Sequence, residues 1–158
     1  MQVFATSPNP ILCARVLDDK RVVKMVLESA QMLSTVRYLR GDPHPYRPTH
    51  ENHPLVKWVA ADPRNEHWLL RHFVALSAEY THRYCRTHLS AEKFDVVKAI
   101  DTDLSDLMPP PPGFCNCSGV ELDDVHEAYK QCLINKWKND KRPPQWTNRE
   151  APSWNGLT

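Results

Sequence analysis

Between Asp18 and Arg40 the chain reads DDKRVVKMVLESAQMLSTVRYLR, with no Gly or Pro and acidic residues at its start, which predicts one long capped helix. Helical spacing puts Lys20, Lys24, Glu28, Gln31 and Thr35 on a single stripe, so amines sit one and two turns from a carboxylate. Such a set suits nucleophilic or acid-base work. A neutral amine can attack an electrophilic carbon, and the carboxylate can steady developing positive charge or activate water. The plainer alternative is a solvated face whose Lys24-Glu28 pair contributes on the order of a few tenths of a kcal/mol.

Other residues could join such a site. Gln2 is too large for routine removal of an initiator methionine, so a free α-amine would sit on Met1, and an ordinary α-amine pKa near ~8 makes a usable nucleophile. The loop GDPHPYRPTHENHP holds His44, His50 and His53. Its end leads into LVKWVA, with Asn52 or His53 as cap and Pro54 in the first turn, a terminus whose free N–H groups attract phosphate or carboxylate. Both histidines would equally serve as caps and braces of the loop. A further helix, read from about Arg64 to Thr87 behind Asp62-Pro63, carries a polar stripe of Asn65, Trp68, His72, Glu79 and Arg83. If it packs antiparallel to the first long helix with the polar stripes meeting, Lys24, Glu28, His72, Glu79 and Arg83 share one cleft.

These residues need a scaffold. On the first long helix Val22, Val26, Leu33 and Val36, with Val23, Leu27 and Ala30 beside them, form the expected core stripe. On the second, Leu69, Phe73, Leu76, Tyr80 and Tyr84 do the same. Val3 and Phe4 are expected to tuck under the first helix. Ser90 can cap AEKFDVVKAIDTDL, with Phe94, Val97 and Ile100 inward, and Pro109 to Pro112 stop it. ELDDVHEAYKQCLINKWKN is the last helix, with Val125, Tyr129, Cys132 and Leu133 inward. The expected fold is all-α: a compact single-domain bundle of four or five helices over residues 1–158, with two proline-rich loops. A tail from about residue 136 mixes Lys136, Lys138, Lys141 and Arg142 with Trp137, Trp146 and Trp154. That mixture suits nucleic acid, and it equally suits an apolar strap.

Composition narrows the classes. With 158 residues and 41% hydrophobic content the chain can bury a full core unaided. No apolar run approaches the ~20 residues that cross a bilayer. Five cysteines, odd in number and scattered, together with the lack of an apolar leader, point to free thiols in a reducing cytoplasm. Cys115 and Cys117 form a CxC without the second pair that a zinc site needs. No glycine-rich phosphate loop, GxSxG, HExxH or CxxC pair is present.

Four stretches together, LDDKRVVKMVLESAQMLST, PTHENHPLVKW, NEHWLLRHFVALSAEYTHRYCRTH and KRPPQW, resemble a largely uncharacterised protein family of bacteriophages and cyanophages. A more distant resemblance is to the pyrimidine-dimer DNA glycosylases, small helical enzymes that cut the glycosidic bond of a damaged base and then the strand. It runs through Asp19 to Glu28 and through His53, Trp58, Leu70, Arg71, His72, Glu79 and Tyr80. Those enzymes use the α-amine of a small residue exposed by methionine removal, whereas Gln2 here should keep Met1.

The resemblance implies DNA base excision in a cytoplasm, the host's if the chain is phage-encoded, with DNA or a nucleotide ligand as partner and no cofactor or metal. Glu28 would be the catalytic carboxylate. Met1, or Lys24 beside Lys20, would supply the amine. Gln31, Asn52, His53, His72 and Glu79 would line the substrate, Trp58, Trp68 or His50 would stack a base, and Arg21, Arg71, Arg83 and the basic tail would hold phosphates. Without a suitable amine, water activated by Glu28 would release the base and leave the strand whole. Rival readings are an enzyme of free nucleotides or modified bases, a non-catalytic nucleic-acid or host-factor binding protein, and a metal hydrolase using His50, His53 and His72 with Glu28 or Glu79.

Overall fold

The computed structural model describes residues 1–95 and 108–157. Among them are six helices and no strand: α1 Pro10–Arg15, α2 Asp19–Arg40, α3 Pro54–Ala61, α4 Pro63–Tyr84, α5 Leu89–Lys93 and α6 Val125–Asn139. The all-α architecture is the expected one. Helix α1 is an addition to the expected set: in the turn-rich SPNP, Asn9 Oδ1 accepts the N–H groups of Ile11 (2.9 Å) and Leu12 (3.4 Å), and Pro10 fits the first turn. The helix expected from Ser90 starts at Leu89 under a His88 cap, and its continuation, with Val97 and Ile100, lies outside the described residues.

Helices α2 and α4 run antiparallel. Arg40 at the end of α2 pairs with Glu66 at the start of α4 at 2.7 Å, and Arg83 at the end of α4 meets Asp19 at the start of α2 at 3.0 Å. Gly41 ends α2 at φ 83, where its N–H reaches the Arg37 and Tyr38 carbonyls. Asp62 caps α4 through the Arg64 N–H at 2.8 Å. Asp18 precedes α2 without capping it, because its carboxylate takes Trp137 Nε1 at 2.7 Å and Arg21 at 3.2 Å.

The core is turned from the expected stripe on α2. Val22, Val26, Ala30, Leu33 and Val36 are buried as read, but Val23 and Leu27 are 39% and 37% exposed while Met25, Ser29 and Met32 are buried. The cause is the N-terminal segment, whose buried Val3, Phe4 and Ala5 cover the Met25 side of the helix. Helix α4 packs on α1, α2 and α3, so both its stripes are inside. Asn65, Trp68, His72, Glu79 and Arg83, read as a cleft-facing polar set, are all buried.

The tail is a strap. Trp146 Nε1 donates to the Val16 carbonyl at 2.9 Å, Trp154 stacks on Trp137 with ring centroids 5.6 Å apart, and Arg149 holds Glu79 at 2.7 Å. Its aromatic residues serve packing, while Lys136, Lys138, Lys141 and Arg142 remain exposed.

Candidate active site

Glu28 lies in the middle of α2, facing the start of the chain. Its side chain is only 14% exposed, and Oε2 accepts the Gln2 backbone N–H at 3.0 Å. The Met1 nitrogen is 3.9 Å from the same oxygen, and Lys24 Nζ is 3.6 Å from Oε1, one turn back on the helix. One carboxylate is thus flanked by two amines. Around them opens a cleft of about 400 Å³, lined by Met1, Gln2, Phe4, Lys20, Arg21, Lys24, Met25, Glu28 and Lys136. A space of that size accommodates a nucleotide-sized group.

Each wall follows from local structure. Lys20, Lys24 and Glu28 share a face of α2 because they are four apart. Lys136 arrives on α6, whose inner side is anchored by buried Tyr129, Leu133 and Trp137. Phe4 is a buried residue at φ 48, a left-handed conformation that bulky side chains rarely adopt. The carbonyl of Phe4 accepts the Thr6 N–H at 2.8 Å, so the chain turns sharply just past the cleft.

His53 caps α3, its Nδ1 accepting the Leu55 N–H at 3.1 Å, which leaves the other ring nitrogen as the protonated one. Burial, the Met1 ammonium and His50 push its pKa below the ordinary histidine value, against an opposing pull from Glu28. His53 is therefore within electrostatic reach of the amine and the carboxylate. His50 stands edge-on to it, ring centroids 6.5 Å apart, and takes Thr49 Oγ1 at 2.7 Å. Neither histidine lines the cleft itself.

The sequence model of the pyrimidine dimer DNA glycosylase family matches residues 1–93, more than half of the chain. The chain belongs to that family. No curated protein and no solved structure matches it. Family membership makes DNA the substrate partner. No helix among the described residues is long and apolar enough to cross a membrane.

Of the residues read from the sequence, this glycosylase-family chain gathers Met1, Lys20, Arg21, Lys24 and Glu28 at the cleft, while His53 feels the charges of Met1 and Glu28 without lining it. The single cleft shared by both long helices is not formed. Glu79 and Arg83 are tied to each other at 2.9 Å, to Arg149 and to Asp19 in a buried ion network at the far end of α4. His72 is fully buried, with Nδ1 donating to the Pro10 carbonyl at 2.9 Å and a pKa pushed down to about 4 by burial. Trp68 is 3% exposed, its indole donating to the Pro8 carbonyl at 2.8 Å and its ring lying on His72. Trp58 stacks on Phe114 and donates to the Gly113 carbonyl at 2.9 Å. The Trp68 indole is committed to packing, whereas Trp58 is half-buried with one face on Phe114.

Arg21 lines the cleft but is bound to Asp140 at 2.8 Å and to Asp18 at 3.2 Å, so its charge is already matched. Arg71 and Gln31 are half-buried and Asn52 exposed, none of them lining the cleft. Gln2, Phe4 and Met25 escaped the sequence reading as cleft residues, and Lys136 was read only as part of the basic tail. The resemblance to the family's N-terminal amine was the signal for Gln2, and the Lys136-Trp137-Lys138 pattern on an otherwise apolar-faced helix was the signal for Lys136. Among the described residues no three His, Cys, Asp or Glu side chains gather as a metal site.

Proposed function

We propose that this chain is a DNA glycosylase with lyase activity that acts on pyrimidine dimers, using the Met1 α-amine as nucleophile and Glu28 as the carboxylate that steadies the reacting centre. The observation that carries the reading is the Met1 nitrogen 3.9 Å from Glu28 inside a cleft rimmed by Lys20, Lys24 and Lys136. The three lysines are placed to meet the phosphates on either side of a damaged nucleotide.

In the reaction the neutral amine's lone pair bonds to C1′ of one sugar, and the glycosidic pair goes to its pyrimidine, which takes up a proton and stays joined to the neighbouring base through the dimer's own bonds. The secondary amine, having lost a proton, expels the ring oxygen, which takes up a proton, to give an iminium; loss of a C2′ proton and departure of the 3′ phosphate then break the strand by β-elimination. Glu28 carries the complementary negative charge where the sugar carbon turns positive. Extruding a nucleotide costs a few kcal/mol, and a lesion lowers that cost because its stacking is already damaged.

Borohydride reduction during incubation with a dimer-containing duplex tests this. The expected result is a covalent protein-DNA species, joined through the Met1 nitrogen by peptide mass, together with strand cleavage. Glycosidic cleavage with no trapped species, read as pyrimidine freed once the dimer is photoreversed, would replace the amine by water activated at Glu28, and absence of glycosidic cleavage would overturn the reading.

A further inference from the structure

A terminal residue frays unless it is tied down, yet catalysis by a terminal amine needs that amine held to within a fraction of an ångström. Gln2 is tied twice. Its backbone N–H donates to Glu28 Oε2 at 3.0 Å, and its side-chain Nε2 donates to the Cys117 carbonyl at 2.5 Å. The Gln2 Oε1 also accepts the Val3 N–H at 3.3 Å, which fixes the rotamer of the bridging side chain.

The acceptor is itself held. Tyr129 of α6 is fully buried, and its hydroxyl donates to the Cys115 carbonyl at 2.8 Å while accepting the Cys117 N–H at 3.0 Å. One phenol oxygen thus closes the Cys115–Cys117 turn and brings the two thiols to 3.5 Å. It fixes the direction in which the Cys117 carbonyl points. The phenol stays protonated because burial raises its pKa, and so it remains a donor. These residues lie outside the part of the chain that matches the family model.

We propose that Gln2 and Tyr129 are positioning residues: acting through the Cys115–Cys117 turn, they hold the Met1 amine and the Glu28 carboxylate in register for attack. This rests on the glycosylase-lyase reading above. The relay runs from the core of α6 through a backbone turn to the terminal segment, so a change at Tyr129 is felt at Glu28 without touching substrate. It also accounts for a glutamine at position 2, where a side chain without an amide donor leaves the terminus anchored by a single hydrogen bond.

The test uses Gln2→Met, which keeps a long residue at position 2 but has no donor, and Tyr129→Phe, which removes only the hydroxyl. Intact mass verifies that Met1 is kept. On a dimer-containing duplex the rate of glycosidic cleavage and of borohydride trapping is expected to fall about tenfold or more in each, with KM within about twofold. The double variant is expected to lose little beyond either single one, since both break the same relay. Hydrogen exchange at the backbone amide of the second residue supplies a readout independent of activity, slow in the parent chain and fast in both variants.

Unchanged exchange and unchanged trapping in the two variants would overturn the proposal. Full additivity in the double variant would do so as well. A parent chain that cuts no glycosidic bond sinks the glycosylase reading instead, and the exchange rates then still decide whether Tyr129 and Gln2 hold Glu28.

Discussion

At the scale of single residues, an amide has the shape of a carboxylate and none of its charge, so Glu28→Gln should keep the Gln2 N–H contact and lose the electrostatic function. Glycosidic cleavage is expected to slow about 10²- to 10³-fold while binding to a dimer-containing duplex holds, measured by single-turnover assay and by titration. Lys24→Gln, on a lysine that is 64% exposed, should cost much less. The pairing of Lys24 with Glu28 was legible from sequence because four residues on one helix are neighbours wherever the helix docks. Gln2 was not legible as a contact, since its partners Glu28 and Cys117 are joined to it only by the tertiary fold. His72 shows the opposite error: a histidine at polar-stripe spacing proved to be a neutral core residue. It ordinarily titrates near 6.5 and in the folded chain near 4, so between those values the unfolded state holds the extra proton. Stability from this group is complete above pH 6.5 and drains as the pH falls toward 4, by up to about 3 kcal/mol. Denaturant midpoints at several pH values should show a shallower decline for His72→Gln than for the parent chain.

At the scale of elements, the long helices and most of their apolar faces could be read because periodicity, capping and proline placement are local properties. What a polar stripe faces is not local. It depends on how many elements surround the helix, and α4 is enclosed by α1, α2 and α3, so its second stripe became interior. The price of that enclosure is a buried ion network. Arg83, with no exposed side-chain surface, is neutralised by Glu79 and Asp19 and also donates to the Arg15 carbonyl at 3.1 Å. Burial pushes the Glu79 carboxyl up, but hydrogen bonds from Arg149 and Arg83 outweigh it and leave the net value below the ordinary one. Glu79→Ala should therefore destabilise the chain by about 3–5 kcal/mol, because it strands a buried guanidinium. Calorimetric melting checks this, and Arg149→Ala, which removes a partly exposed partner, should cost clearly less.

At the scale of the whole molecule, a net charge of +1 says nothing about where charge sits, and it hides a basic margin along the cleft. Arg21, Asp18, Asp19 and Asp140 are matched internally, whereas Lys136 enters no ion pair among the described residues and projects from α6 into the cleft wall. Its position depends on the strap: Trp137, the next residue, is 2% exposed under Trp146 and Trp154, so the same packing that seals the core aims Lys136 at the site. Binding of duplex DNA should accordingly weaken steeply with salt, and removing one phosphate-binding cation should lower the slope of log K against log[salt] by about 0.9. Lys136→Gln is expected to reduce that slope by about one unit on damaged and undamaged duplex alike, since a phosphate contact carries no base information. A salt titration of both duplexes measures it. An unchanged slope would place Lys136 off the DNA path, and a weakening confined to damaged duplex would make it a contact of the lesion itself.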